Sequence, residues 1–246
     1  MKKGFTILEI TLFIAISGLL ILGVILATNN NIARQRHNDS IQDFADYLRS
    51  AYSSVLYVKN LDTDEPGRSG KAIYGKLLVF GEEKSSGSST VFSYDVIGDV
   101  LSSRDSSVIS KLDNLSALAA LNAYFDYDSR TSHTPLWTAS IESTAEGDIY
   151  KGAILIVHSP VFGTIYTYVL NGDISFGENT NISRFISSPT NTSSLVFGST
   201  ELDLCLDSPD RYAAAPYRQN IRILASGRSS TAVTLVNVDT EENRCR

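Results

Sequence analysis

An α+β fold, in which one long N-terminal helix packs on an antiparallel β-sheet, is predicted by three features of the sequence. The chain opens with an almost unbroken apolar run over residues 7–27. Apolar positions then recur at helical spacing, at Ile41, Phe44, Ala45, Leu48, Ala51, Tyr52 and Val55, with Gln42, Asp43, Asp46 and Arg49 between them. Beyond these lie short apolar segments separated by polar, glycine-containing turns, the signature of strands.

The apolar run comes first. About twenty residues at ~1.5 Å rise cover the ~30 Å hydrocarbon core of a bilayer, so this segment can span a membrane as one helix. Lys2 and Lys3 precede it with no acid nearby, and the positive-inside bias keeps that leader cytoplasmic while everything after Asn29 is exported. A cleavable secretory signal fits poorly, because the run is too long and Ile25 stands where a small residue belongs. A plain single-pass anchor satisfies hydropathy but not Glu9, since an acid in an apolar span costs about 2.5–3.5 kcal/mol at mid-membrane and calls for a partner. Cleavage after Gly4 supplies one: the charged α-amine of Phe5 then lies four residues before Glu9, on one helical face or within reach of a neighbour's Glu9. Glu9 also sits in the first turn, where the helix dipole favours an anion.

The helix is expected to continue to about Val58, its outer half amphipathic and in need of a sheet over its apolar stripe. Residues 72–80 and 90–97 flank the polar turn 81–87 and predict a hairpin. Residues 106–125 read as a second amphipathic helix capped by Asp105 or Ser106. Strands follow at 153–158 and 164–170, with Asn171-Gly172 as a tight turn before 174–176. The Ser-, Thr- and Asn-rich stretch 187–200 reads as an exposed loop with a short strand at 195–197. Residues 221–225 and 232–238 bracket the turn Ser226-Gly227-Arg228. The organisation is thus a leader at 1–4, an anchor and spine helix at 5–58, and an exported head at 59–246.

Roughly 220 residues follow the apolar run, enough for a substantial core. The net charge of −6 becomes more negative once Lys2 and Lys3 are removed, and an acidic ectodomain does not read as a nucleic-acid surface. Arg34, Arg36 and His37, just beyond the span, are placed against lipid headgroups. The two cysteines, Cys205 and Cys245, both lie on the exported side, where a disulfide is permitted and carries ~3–4 kcal/mol of loop-closure benefit in the entropic model. Spacing alone does not prove that they pair, and free thiols are the alternative.

Gly4-Phe5-Thr6-Ile7-Leu8-Glu9, after its two-lysine leader, resembles the N-terminus of type IV prepilins and of the pilin-like subunits of type II secretion and DNA-uptake machines. The match covers about a tenth of the chain. It implies a membrane aspartyl peptidase that cuts after Gly4 and N-methylates Phe5, with Glu9 drawing an incoming subunit into register. It also implies a pilin-like fold, other pilin subunits and an assembly platform as partners, storage in the lipid bilayer before assembly, and a C-terminal loop closed by Cys205 and Cys245. One departure stands out: many major pilins carry a helix-breaking proline where this chain has Leu26, leaving Gly18 and Gly23 as the weak points. Gly23 and Ala27 also form a small-xxx-small pair.

No enzymatic or cofactor-binding pattern emerges. His37, His133 and His158 are scattered without partners at metal-ligand spacing. Gly67-Arg68-Ser69-Gly70-Lys71 lacks the spacing, the following Ser or Thr and the preceding strand of a phosphate loop. Asp62, Asp64 and Glu65 read as a solvated turn, since the full calcium-loop pattern is missing. The Asn-x-Ser/Thr sites such as Asn181-Ile182-Ser183 reflect composition. The expected function is a structural subunit of a type IV pilus or pilus-like fibre. The alternatives are a minor pilin or pseudopilin that primes or caps a secretion or DNA-uptake pseudopilus, towards which the large ectodomain points, and a single-pass membrane adhesin or receptor that never polymerises.

Overall fold

Helix α1, Ile7–Ser54, runs unbroken for 48 residues, about 72 Å at 1.5 Å per residue. It dominates the computed structural model, which describes residues 7–61, 70–82, 89–101, 109–143, 149–172, 174, 177, 180–188, 195–197, 201–207, 219–224 and 228–237. The helix stops four residues short of the expected Val58. Its last turn tightens, with Val55 N donating to Tyr52 O and Leu56 N to Ser53 O. The hydroxyls of Ser53 and Ser54 turn back onto Arg49 O and Ala51 O, the local bonding that makes serine a poor helix interior.

Every position of the predicted apolar stripe, from Ile41 to Val55, is at most 6% exposed. One sheet was expected to cover it; two contribute to the cover. The larger contains β1 (Lys59–Asn60), β2 (Lys71–Glu82), β3 (Ser89–Asp99), β4 (Tyr124–His133), β6 (Gly152–His158), β7 (Ile165–Asn171) and β8 (Leu195–Phe197), in the order β4-β3-β2-β6-β7-β8 with β1 also pairing β2. The smaller has the order β11-β10-β9-β5, from β5 (Ser140–Ser143), β9 (Leu202–Asp207), β10 (Gln219–Ile223) and β11 (Val233–Asn237). All pairings are antiparallel. Phe44, Leu48 and Tyr52 pack with Leu78, Phe80, Ile154 and Ile156 of the large sheet and with Leu204, Leu206, Ile221 and Ile223 of the small one.

A second apolar layer lies on the far side of the large sheet, where Leu77, Val96, Leu155 and Leu170 meet two short helices, α2 (Asn114–Ala120) and α3 (Ile182–Ser187). The spine helix therefore shares one core with both sheets, and the short helices cover the other face of the large sheet. Between β2 and β3 the register shifts at Tyr74, and Gly75 lies so close to β6 that a Cβ there would meet Ile156 O at 2.3 Å. Only glycine fits that approach.

The hairpin formed by β2 and β3, the pair β6 and β7, the short β8 and the pair β10 and β11 lie where the sequence places them. The second helix is corrected. Residues 102–108, including Asp105 and Ser106, lie outside the described residues, and Asp113 is the cap, its Oδ1 accepting from Leu115 N and Ser116 N at 3.1 and 2.9 Å. Nor does the helix reach residue 125: Asn122 turns left-handed at φ 51°, Ala123 N donates to Leu118 O, and Tyr124 starts β4. Gly172 has the expected positive φ, 98°, but Ile174 is in no strand and residues 173, 175 and 176 are outside the described residues. The strands β1, β4, β5 and β9 and the helix α3 form where the sequence predicts no such element.

Candidate functional site

The inner part of α1 presents a surface that the rest of the chain leaves uncovered. Ile7–Ile25 is 19 residues long, apolar enough to cross a membrane, and not buried at all within the chain; Ile7, Leu8, Phe13 and Leu19 are 71–83% exposed. Apolar area on this scale is stable only when lipid or another protein removes it from water. Its polar atoms are managed locally: Thr11 Oγ1 donates to Leu8 O and Thr28 Oγ1 to Val24 O. Gly18 and Gly23 leave the helix intact, with open space where a Cβ would stand.

Glu9 lies in the first turn of α1, as the sequence places it, and is exposed there. Its carboxylate faces the positive end of the helix dipole. Gly4, Phe5, Lys2 and Lys3 are outside the described residues, so no geometry bears on the cleavage junction or on the distance from Glu9 to an amine.

Where the helix enters the head, side-chain contacts join them. The Arg36 guanidinium lies 4.8 Å from the centre of the Trp137 ring, in cation–π range. Asp43 Oδ2 stands 3.1 Å from His133 Nε2 on β4. The His133 ring stacks on Tyr47, 4.2 Å between centroids and 6° from parallel, and more distantly on Phe44. Burial pushes the Tyr47 hydroxyl up to about 12. His37 is 5% exposed. The expectation that Arg34, Arg36 and His37 all face lipid headgroups is therefore corrected: Arg36 and His37 belong to the underside of the head, while Arg34 stays exposed. His133, read as isolated in the sequence, acquires an acidic partner through the fold alone.

Further out, Tyr52 OH and Thr167 Oγ1 are 2.9 Å apart beneath the helix, and burial raises the Tyr52 hydroxyl to about 12. At the far end Lys71 Nζ binds Asp99 Oδ1 at 2.5 Å; bonds from Asn122 and then Lys71 hold the Asp99 carboxyl below the usual range. Lys71 begins a strand rather than following a phosphate-binding turn into a helix. Asp62, Asp64 and Glu65 are outside the described residues, and among the described residues no three His, Cys, Asp or Glu side chains converge as metal ligands.

Cys205 lies on β9, 3% exposed and disulfide-bonded, with its Sγ 3.5 Å from Asn220 Oδ1 across the register. Cys245 is outside the described residues. Beside Cys205, Arg222 donates to both carboxylate oxygens of Asp203 at 2.8 and 3.2 Å, a cross-strand pair that links β9 to β10. Asn181, the first residue of one Asn-x-Ser site, caps α3 by accepting from Ser183 N. These features describe a chain built of a bare apolar rod and a packed α+β head. Set against family models, curated proteins and solved structures, the chain matches none of them.

Proposed function

We propose that this chain is a non-enzymatic structural subunit of a type IV pilus or pilus-like fibre, with a pilin-like fold. The observation that carries the reading is the division of one unbroken helix into an uncovered apolar half with Glu9 in its first turn and a packed half that forms the spine of the head. A bilayer holds the first half before assembly, with the leader of Lys2 and Lys3 in the cytoplasm and the head exported. A prepilin peptidase cuts between Gly4 and Phe5 and methylates Phe5. On an assembly platform the lipid around the helix is exchanged for the helices of other subunits, giving an extracellular fibre. Glu9 pairs with the Phe5 amine of an adjacent subunit, which sets the register and offsets the cost of a carboxylate among apolar side chains. The disulfide of Cys205 is completed by Cys245, tying the C-terminal segment to the outer face of the small sheet.

Glu9→Ala separates this reading from a plain membrane anchor. The variant removes the charge together with its desolvation cost, so membrane insertion and cleavage persist while incorporation into sheared fibres is lost. Undiminished incorporation of the variant, or a mature chain that still begins at Met1 in cells with an active prepilin peptidase, would reject the proposal.

A further inference from the structure

The exposed apolar surface of α1 continues past Ile25. Ile14, Gly18, Ile21, Ile25, Ile32 and Arg36 follow one another at intervals of three, four or seven residues and so share a helical face. Ile14, Ile21, Ile25 and Ile32 are 63, 60, 50 and 40% exposed. At the head end of this stripe, against Arg36, the turn after β4 presents Leu136 and Trp137, which are 47% and 50% exposed. Trp137 has φ 60° and ψ 26°, a left-handed conformation that costs a bulky L-residue about 1–2 kcal/mol. Buried Pro135 and Ala139 hold the turn from either side. Trp137 meets Arg36 within the chain, and about half of its surface and of Leu136's stays open to a further contact.

Lipid does not cover this turn. Arg36 is about 16 Å of helix beyond Ile25, whereas the headgroup layer adds only about 5–7 Å to each side of the hydrocarbon. A second copy of the chain does carry a matching surface, its own Ile7–Ile25, which its own head leaves bare. A parallel copy shifted towards the head by about 16–44 Å brings some part of that span level with Trp137.

We infer that the Leu136–Trp137 turn is a docking point, on the head, for the Ile7–Ile25 span of an adjacent copy in the fibre. The inference rests on the fibre reading above. Trp137 supplies the large, rigid contact typical of interface anchors, and Ile32 and Arg36 prolong the helix-to-helix contact up to it.

The test uses the full-length chain in producing cells. Thr134→Cys, exposed beside the turn and leaving Leu136 and Trp137 in place, is combined in turn with Leu12→Cys, Ile16→Cys, Leu19→Cys or Leu22→Cys, and sheared fibres are treated with a bifunctional maleimide. Intermolecular cross-links are expected to peak at one span position, which reports the stagger; fibres with a uniform background yield at all four overturn the inference and leave the fibre reading intact. An unmodified chain absent from the sheared fraction rejects both. Trp137→Gly relieves the left-handed strain, so the detergent-extracted head should unfold at no lower urea while fibre-borne protein falls at least tenfold. A less stable head with normal fibre yield would make Trp137 a structural side chain and overturn the docking role.

Discussion

The two halves of α1 are one continuous helix with opposite fates. Ile7, Leu8, Phe13 and Leu19 stay 71–83% exposed, while Ile41, Phe44, Leu48 and Tyr52 are fully buried in a core shared with two sheets. The half that packs is the less hydrophobic one. An apolar stripe with a polar back offers a sheet one face and water the other, whereas a helix apolar all round gains little from covering one side. Patterning rather than total hydrophobicity therefore assigns each half to its surroundings: head core for the striped half, lipid or neighbouring subunits for the uniform one.

Truncation should separate the halves most sharply. Phe44→Ala opens a cavity between helix and sheets and is expected to cost about 3–5 kcal/mol of head stability. Leu19→Ala should stay within about 0.5 kcal/mol, because no part of the head touches it. Urea unfolding of the full chain in detergent, followed by near-UV circular dichroism, measures both; equal losses would break the comparison.

Alkali should release the packed half selectively. Tyr52 is held neutral in the fold, with its hydroxyl raised from 10 to about 12. Its contribution is complete below pH 10 and is lost as the pH climbs from 10 through 12, an effect of about 3 kcal/mol. Tyr52→Phe should weaken this alkaline transition, and an unchanged pH profile in the variant would place its origin elsewhere. At neutral pH the same variant removes the bond to Thr167 and is expected to lose about 1 kcal/mol, readable in the same urea titration.

The smallest effect belongs to the junction between the halves. Asp43→Asn removes the charge facing His133 and should cost about 0.5–1 kcal/mol, since both side chains are partly exposed. Hydrogen exchange should rise in the last residues of β4 and leave β6 and β7 unchanged. Equal protection throughout would show that stacking on Tyr47 suffices to seat His133.

Much of this architecture is legible before folding. The stripe from Ile41 to Val55 marks the packed face at every position, and the β2–β3 hairpin follows from its polar turn. The run Leu202-Asp203-Leu204-Cys205-Leu206-Asp207 alternates with period two, a strand signal legible in the sequence. Strand β4 is hidden. Apolar residues continue past Ala120 as though the helix did, and only the left-handed turn at Asn122 ends it. Trp137 sent no signal, because a tryptophan in a left-handed turn runs against its own preference.

On its own, the sequence determined what is local: a span-length apolar helix, an acid in its first turn, the stripe on its outer half, and most strands. Each depends on the order of neighbouring residues, and the helical and strand periods turn that order directly into a face. The tertiary structure alone decided that two sheets share the helix's core, that Arg36 meets Trp137, that Asp43 finds His133, and that His37 is buried. Those partners are far apart along the chain and share no local pattern. Only closure of the long intervening segments, with its entropic cost offset by the whole core at once, brings them together.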